Sequence, residues 1–179
     1  MNRVRAVLLS VGLGVAVVSV SGCLGLAPAP APVSGAVGVT VDETGGPVLV
    51  VEACEESAAR VELSWTREGL ADDQQNQAIG VYAATAPRAG TSRLALGDPG
   101  AEWDGEPFDL DGDTRGVIAG GSTTAGHTLR DVVFLESDLA ELTPGAVRWA
   151  QGVSEQGTVI SSTLPEEEFS AAVCGPVDG

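Results

Sequence analysis

After residue 35 the chain keeps returning to a period of two. Val37, Val39 and Val41 alternate with Gly38, Thr40 and Asp42, and Val61, Leu63 and Trp65 alternate with Arg60, Glu62, Ser64 and Thr66. Successive side chains of a strand point to opposite faces, so this alternation predicts half-buried strands. Turn chemistry separates the apolar runs at Thr44-Gly45-Gly46-Pro47, at residues 87–90 and at Thr143-Pro144-Gly145. Helical periodicity is scarce. The expectation is an all-β fold, a β-sandwich of about seven to nine short strands with one disulfide.

Residues 37–41 and 48–53 read as a hairpin, and residues 60–66 as the clearest strand, with Trp65 in the core. Residues 78–85, 92–96, 115–119, 129–136, 147–153 and 157–163 follow as short strands. Residues 67–77 are polar, a loop or a short surface helix. Residues 120–126 read as a flexible glycine-rich connection, and residues 137–142 as a helical turn. Phe169, Ala171 and Val173 alternate into Cys174 as a last strand.

The beginning of the chain has a different grammar. Arg3 and Arg5 give a positive start, residues 6–20 form an uncharged apolar run, and Ser21-Gly22 supplies small residues before Cys23. That is the layout of a secretory signal. The run is short against the roughly 20 residues that a membrane span needs. Val20-Ser21-Gly22-Cys23 resembles the lipobox of bacterial lipoproteins. The resemblance covers residues 1–23 and implies that cleavage falls before Cys23. It also implies a diacylglyceryl group on the Cys23 thiol and acylation, of the palmitate kind, at the new amino terminus. Two or more acyl chains hold a protein stably at a bilayer. The expected location is therefore the cell membrane, lipid-anchored on its extracytoplasmic face. Residues 1–22 are then a signal peptide, 23–34 the lipidated cysteine and an Ala/Pro stalk of polyproline II character, and 35–179 the β-domain.

All nine basic residues are arginine, against 25 acidic ones, for a formal net charge of −16. Phosphate binding needs clustered Lys and Arg, so nucleic acid is not an expected partner. High negative charge keeps a crowded surface protein soluble. With Cys23 lipidated, Cys54 and Cys174 remain as an even pair in an oxidising compartment, and a disulfide between them is expected. It would close a loop of about 120 residues. Zinc held by these two cysteines and the single histidine is the competing reading.

Two further resemblances bear on the fold. Leu139-Ala140-Glu141-Leu142-Thr143-Pro144-Gly145 resembles the leucine-then-Pro-Gly corner of fibronectin type III domains, with Arg148 where that family carries tyrosine. Val61-Glu62-Leu63-Ser64-Trp65 resembles the same family's early strand ending in a core tryptophan. Cys54 followed by Trp65 is similar to an immunoglobulin domain, although Cys174 lies too near the end of the chain and is read as stapling a terminal strand. The resemblances imply an immunoglobulin-like sandwich and no particular function.

Candidate chemistry is sparse. Asp98, Glu102, Asp104, Glu106, Asp109, Asp111 and Asp113 form an acidic stretch without a base. Asp109, Asp111 and Asp113 offer oxygens at the alternate positions used by calcium loops, but Thr114 and Gly120 stand where an EF-hand needs glycine and glutamate. Trp103 and Phe108 in that stretch are either loop anchors or ligand-binding aromatics. His127, the one histidine, could join Asp131 and Ser122, Thr123 or Ser161 in a triad, but no nucleophile-elbow motif accompanies it. Glu166, Glu167 and Glu168 read as a solvated charge run. The expected function is a non-catalytic binding or assembly module, tethered to the membrane through Cys23, with an envelope protein as partner and no cofactor. A calcium-dependent binder using residues 98–113 is the alternative, and a cell-envelope hydrolase stands behind it.

Overall fold

The computed structural model describes residues 32–175, apart from 72, 111, 113, 155 and 157. The signal segment, Cys23 and most of the stalk lie outside the described residues. The elements are β1 (Val33–Val41), β2 (Pro47–Trp65), β3 (Ala78–Ala95), β4 (Trp103–Asp104), β5 (Val117–Thr123), β6 (Thr128–Phe134), α1 (Glu136–Ala140), β7 (Ala146–Val153), β8 (Val159–Pro165) and α2 (Glu166–Cys174). The all-β expectation and the disulfide are both present: Cys54 and Cys174 are bonded, with 5.6 Å between their Cα atoms.

The eight strands pair in the order β4-β3-β2-β5-β6-β1-β7-β8, and β2 pairs with β1 as well. The pairings β1–β2–β5–β6–β1 therefore close a ring of four strands. Closure rests on the length of β2. At about 3.3 Å per residue its 19 residues run about 60 Å, too far for one face of a small domain. Its first part pairs with β1 (Val41↔Pro47 to Ala36↔Glu52), and its second part pairs with β5 (Ala58↔Thr123 to Trp65↔Val117). The strands expected separately at 48–53 and 60–66 are thus one bent strand, as those at 78–85 and 92–96 are in β3.

The bend in β2 is a bulge. Between Glu52↔Thr91 and Ser57↔Ala89, Ala53 to Glu56 run opposite the single Gly90 of β3. Gly90 has φ +73° and Cys54 φ +53°, a left-handed conformation uncommon outside glycine. Extra residues on one strand increase local twist and turn side chains away from the ladder.

Two apolar layers flank this frame. Inside the ring lie Val37, Val39, Leu49, Val51, Val61, Leu63, Leu129, Val132 and Phe134, with Tyr82 and Leu94 from β3. On the outer face of β1, β2 and β7, Ala36, Val50, Val147 and Trp149 pack against Phe169 of α2. Because β1 and the start of β2 are covered on both faces, Val48-Leu49-Val50-Val51 reads as a continuous apolar run. Gly38 sits in the outer layer, and a Cβ there would run into Val147 and Phe169.

Two expectations are corrected. Residues 166–174 are helical. Phe169 and Val173, four apart, share one helical face; three acids open the first turn, where the macrodipole favours them. Cys174 therefore staples a helix, not a terminal strand. Gly120 and Gly121 belong to β5 and its ladders to β2 and β6, not to a flexible connection. A Cβ on Gly121 would lie 2.5 Å from the Arg60 carbonyl oxygen, and one on Gly120 would strike the Asp131 carboxylate. Here glycine serves close approach. No helix among the described residues is long and apolar enough to cross a membrane.

Candidate functional site

The bulge in β2 makes the site. It carries Cys54 outward to Cys174 at the end of α2 and leaves Glu55 and Glu56 projecting beside them. Together with Ser34 and Gly35 at the start of β1, Gly90 of β3 and Ser170 and Val173 of α2, these residues line an open cleft of about 610 Å³. Both ends of α2 are tied down: Cys174 by the disulfide, and Glu166 by Arg93, whose Nη1 donates to both carboxylate oxygens at 2.5 and 2.6 Å. One wall of the cleft is thus fixed to the opposite wall by a covalent bond.

Glu52 forms the floor and is 1% exposed. Buried carboxylates need hydrogen-bond partners, and Glu52 has two: the Cys54 N–H donates to Oε1 at 2.7 Å and the Thr91 hydroxyl to Oε2 at 2.5 Å. These bonds brace the bulge from inside. Glu52, Cys54 and Cys174 bring potential metal-ligand atoms within 4.8 Å of one another. With the sulfurs bonded to each other there is no thiolate to coordinate, and the group serves as a brace.

At the rim, Glu56 Oε1 lies 2.5 Å from His127 Nδ1. The Thr123 hydroxyl is the main influence holding the Glu56 carboxyl below its ordinary value of 4.5; the hydrogen bond and charge of His127 and the Ser34 hydroxyl add to it, against the opposing effect of burial. The His127 N–H donates to Thr123 Oγ1 at 3.2 Å, so threonine, histidine and glutamate form one local network. The triad imagined from sequence is not assembled. Ser122 and Asp131 line a different hollow, and Ser161 lies on β8.

That second hollow, about 310 Å³, lies over Gly120 and Gly121 with Glu62, Ser64, Ser122 and Asp131 around it. Glu62 is paired with Arg60 at 2.5 Å. Asp131 keeps an exposed edge, yet the crowding of its carboxyl pushes its pKa up.

The acidic stretch is anchored by its apolar residues. Trp103 is 3% exposed and its Nε1 donates to the Arg93 carbonyl at 3.1 Å. Phe108 packs against Trp65, ring centroids 6.0 Å apart, and Leu110 is buried beside the exposed Asp109. Of the two readings of Trp103 and Phe108, the packing supports the loop anchor: Trp103 is buried in the core and Phe108 packs against it, partly buried. Asp111 and Asp113 lie outside the described residues.

Sequence reasoning found Cys54, Cys174 and His127 but missed Glu52, Glu55 and Glu56. One signal was present: three acids within five positions interrupt the apolar run that begins at Val48, around a cysteine. Compared with protein-family models, with curated proteins and with solved structures, the chain matches none of them.

Proposed function

We propose that this chain is an extracytoplasmic lipoprotein held at the cell membrane through Cys23, and that its β-domain is a non-catalytic binding or assembly module. The acidic cleft beside the disulfide is its recognition surface. The observation that carries this reading is the cleft itself: three glutamates gathered by a bulge and set in place by a cross-link, Glu52 buried and Glu55 and Glu56 at the opening. Rigid sites lose less on binding, because their walls need no ordering. Glutamates at the opening of a cleft attract ammonium and guanidinium groups, even with His127 beside Glu56, so the favoured ligand is a lysine- or arginine-bearing segment of an envelope protein. The immunoglobulin-like sandwich remains a proposal that rests on the sequence resemblances of residues 61–65 and 139–145.

The anchor rests on the sequence of residues 1–23 and has its own test. Cells expressing the wild-type chain and Cys23→Ala are fractionated and the mature protein is weighed by intact mass spectrometry. The wild-type chain is expected in the membrane fraction, starting at Cys23 with the added mass of its acyl chains. A Cys23→Ala chain still membrane-bound with the wild-type mass would overturn the reading.

A further inference from the structure

Among the described residues, one group brings three metal-ligating side chains together: a Glu52 carboxylate oxygen, Cys54 Sγ and Cys174 Sγ all lie within 4.8 Å of one another. The ligand atoms of one tetrahedral zinc stand about 3.3–3.8 Å apart, inside that limit. β2 supplies two of the three and α2 the third, with the Cα atoms of the cysteines 5.6 Å apart. Glu52 is already set in place. The Cys54 N–H donates to its Oε1 and the Thr91 hydroxyl to its Oε2, which leaves a lone pair free on each oxygen. Ligating carboxylates in metal sites are held by outer hydrogen bonds of this kind. His127, the histidine that the sequence offers for zinc, is outside the group, and its Nδ1 is taken by Glu56. Cys174 is exposed at the open cleft and Cys54 half-buried, so a reductant in solution meets Cys174 first.

We propose that Glu52, Cys54 and Cys174 form a redox-gated zinc site, closed while the disulfide stands and opened by a dithiol reductant. One thiolate of the dithiol attacks Cys174 Sγ, the Cys54–Cys174 bond breaks, and Cys54 leaves as a thiolate. The second thiol of the reductant attacks the mixed disulfide and releases Cys174. The dithiol departs as its own disulfide, having given two electrons. Zinc then binds both sulfurs and a Glu52 oxygen, and the two protons of the dithiol go to solvent. Charge and ligand type select the ion. Two thiolates beside a buried carboxylate repel one another, and a divalent cation offsets that repulsion. Two sulfurs and one oxygen suit zinc, whereas calcium and magnesium take oxygen ligands. Three protein ligands leave the fourth position to water. The site needs neither the lipid anchor nor a cationic ligand, so it stands or falls apart from the functional reading above.

The full chain is reduced with dithiothreitol, desalted under nitrogen and titrated with zinc against a chromophoric chelator. The unreduced chain, and a reduced chain carrying both Cys54→Ser and Cys174→Ser, set the background from Cys23 and the surface acids. The reduced wild type is expected to take one zinc per chain above both controls and to melt several degrees higher with zinc than without it. Cobalt in place of zinc should give thiolate-to-metal charge-transfer absorption above both controls. Glu52→Gln keeps an acceptor for the Cys54 N–H and should weaken zinc binding at least several-fold, while His127→Ala should leave it unchanged. A reduced wild type that takes no more zinc than the double serine chain would overturn the proposal. So would zinc uptake without a rise in melting temperature, the mark of cysteines in an unfolded chain. An affinity that falls with His127→Ala instead of with Glu52→Gln would overturn it as well.

Discussion

Asp42 and Asp131 show how position sets the behaviour of one side chain. Asp42 closes the β1–β2 turn: its Oδ1 accepts from the Thr44 hydroxyl at 2.7 Å, the Thr44 N–H at 2.8 Å and the Gly46 N–H at 2.9 Å. These bonds, the Thr44 hydroxyl first, hold its pKa below 3.8. A carboxyl with a lowered native pKa contributes stability that is present above the unfolded value and lost as pH falls through the native one. Asp42→Ala should therefore melt lower than wild type at neutral pH, and the gap should shrink as acid protonates the wild-type carboxyl; thermal melts at the two pH values check this. Asp131 has the opposite sign. Burial raises its pKa above 3.8, so its charged form is disfavoured in the native state and stability falls as pH rises through the raised value. Asp131→Asn should raise the melting temperature at pH 7 by about 1–3 °C, a small effect because the carboxylate is partly screened. That advantage should vanish below pH 3.8. Tyr82 belongs to the same scale. It is fully buried, its hydroxyl has no partner, and burial pushes its pKa up to about 12. Removing an unpartnered buried hydroxyl relieves a desolvation cost, so Tyr82→Phe should leave the urea midpoint unchanged or raise it.

Among the elements, α2 and the bulge of β2 depend on each other. Phe169 is fully buried, edge-on to Trp149 with ring centroids 5.9 Å apart. Phe169→Ala should cost about 3–5 kcal/mol in urea unfolding, in the range for deleting a core aromatic. Replacing Cys54 and Cys174 together by serine should cost about 2–5 kcal/mol. Hydrogen exchange should then quicken in α2 and the bulge before it quickens in the β2–β5 ladder. Much at this scale was legible from sequence: the alternation at Val37–Val41 and Val61–Trp65 does mark strands, and the turn at Thr44–Pro47 joins β1 to β2. What alternation does not distinguish is a turn from a bend. Cys54-Glu55-Glu56 interrupts the apolar pattern just as a loop would, so one strand reads as two. Phe169, Ala171 and Val173 fit a period of two, while Phe169 and Val173 also fit a helical turn. Pro165 before three glutamates was the tie-breaker, since proline and acids mark a helix start. Glycines 120 and 121 read as flexibility because sequence shows their freedom, not the Arg60 carbonyl and Asp131 that crowd them.

At the scale of the whole molecule, a closed ring of four strands carries an acidic cleft at the end where β1 begins. The cysteine pairing was readable from compartment and parity, but the cleft was not. It depends on a bulge that sets Glu52, Glu55 and Glu56 around a helix 120 residues on in the sequence. On the proposed reading, in which the acids of the cleft recognise a cationic segment, calcium plays no part. Adding calcium to chelated protein should leave its melting temperature unchanged, and an increase of several degrees would move the recognition surface to residues 98–113. The cleft is tested most directly by a photo-crosslinking residue at Ser170, exposed on the α2 wall, with the same residue at Thr44, beyond the far end of β1, as control. Crosslinking is carried out in cells on the full chain, and adducts are identified by mass spectrometry. A single repeatable protein adduct, joined through a lysine- or arginine-bearing segment, is the expected result at Ser170 and not at Thr44. It should be lost when Glu55→Gln and Glu56→Gln are added. Equal labelling from the two positions, or an adduct indifferent to both glutamates, would contradict the cleft as the recognition surface.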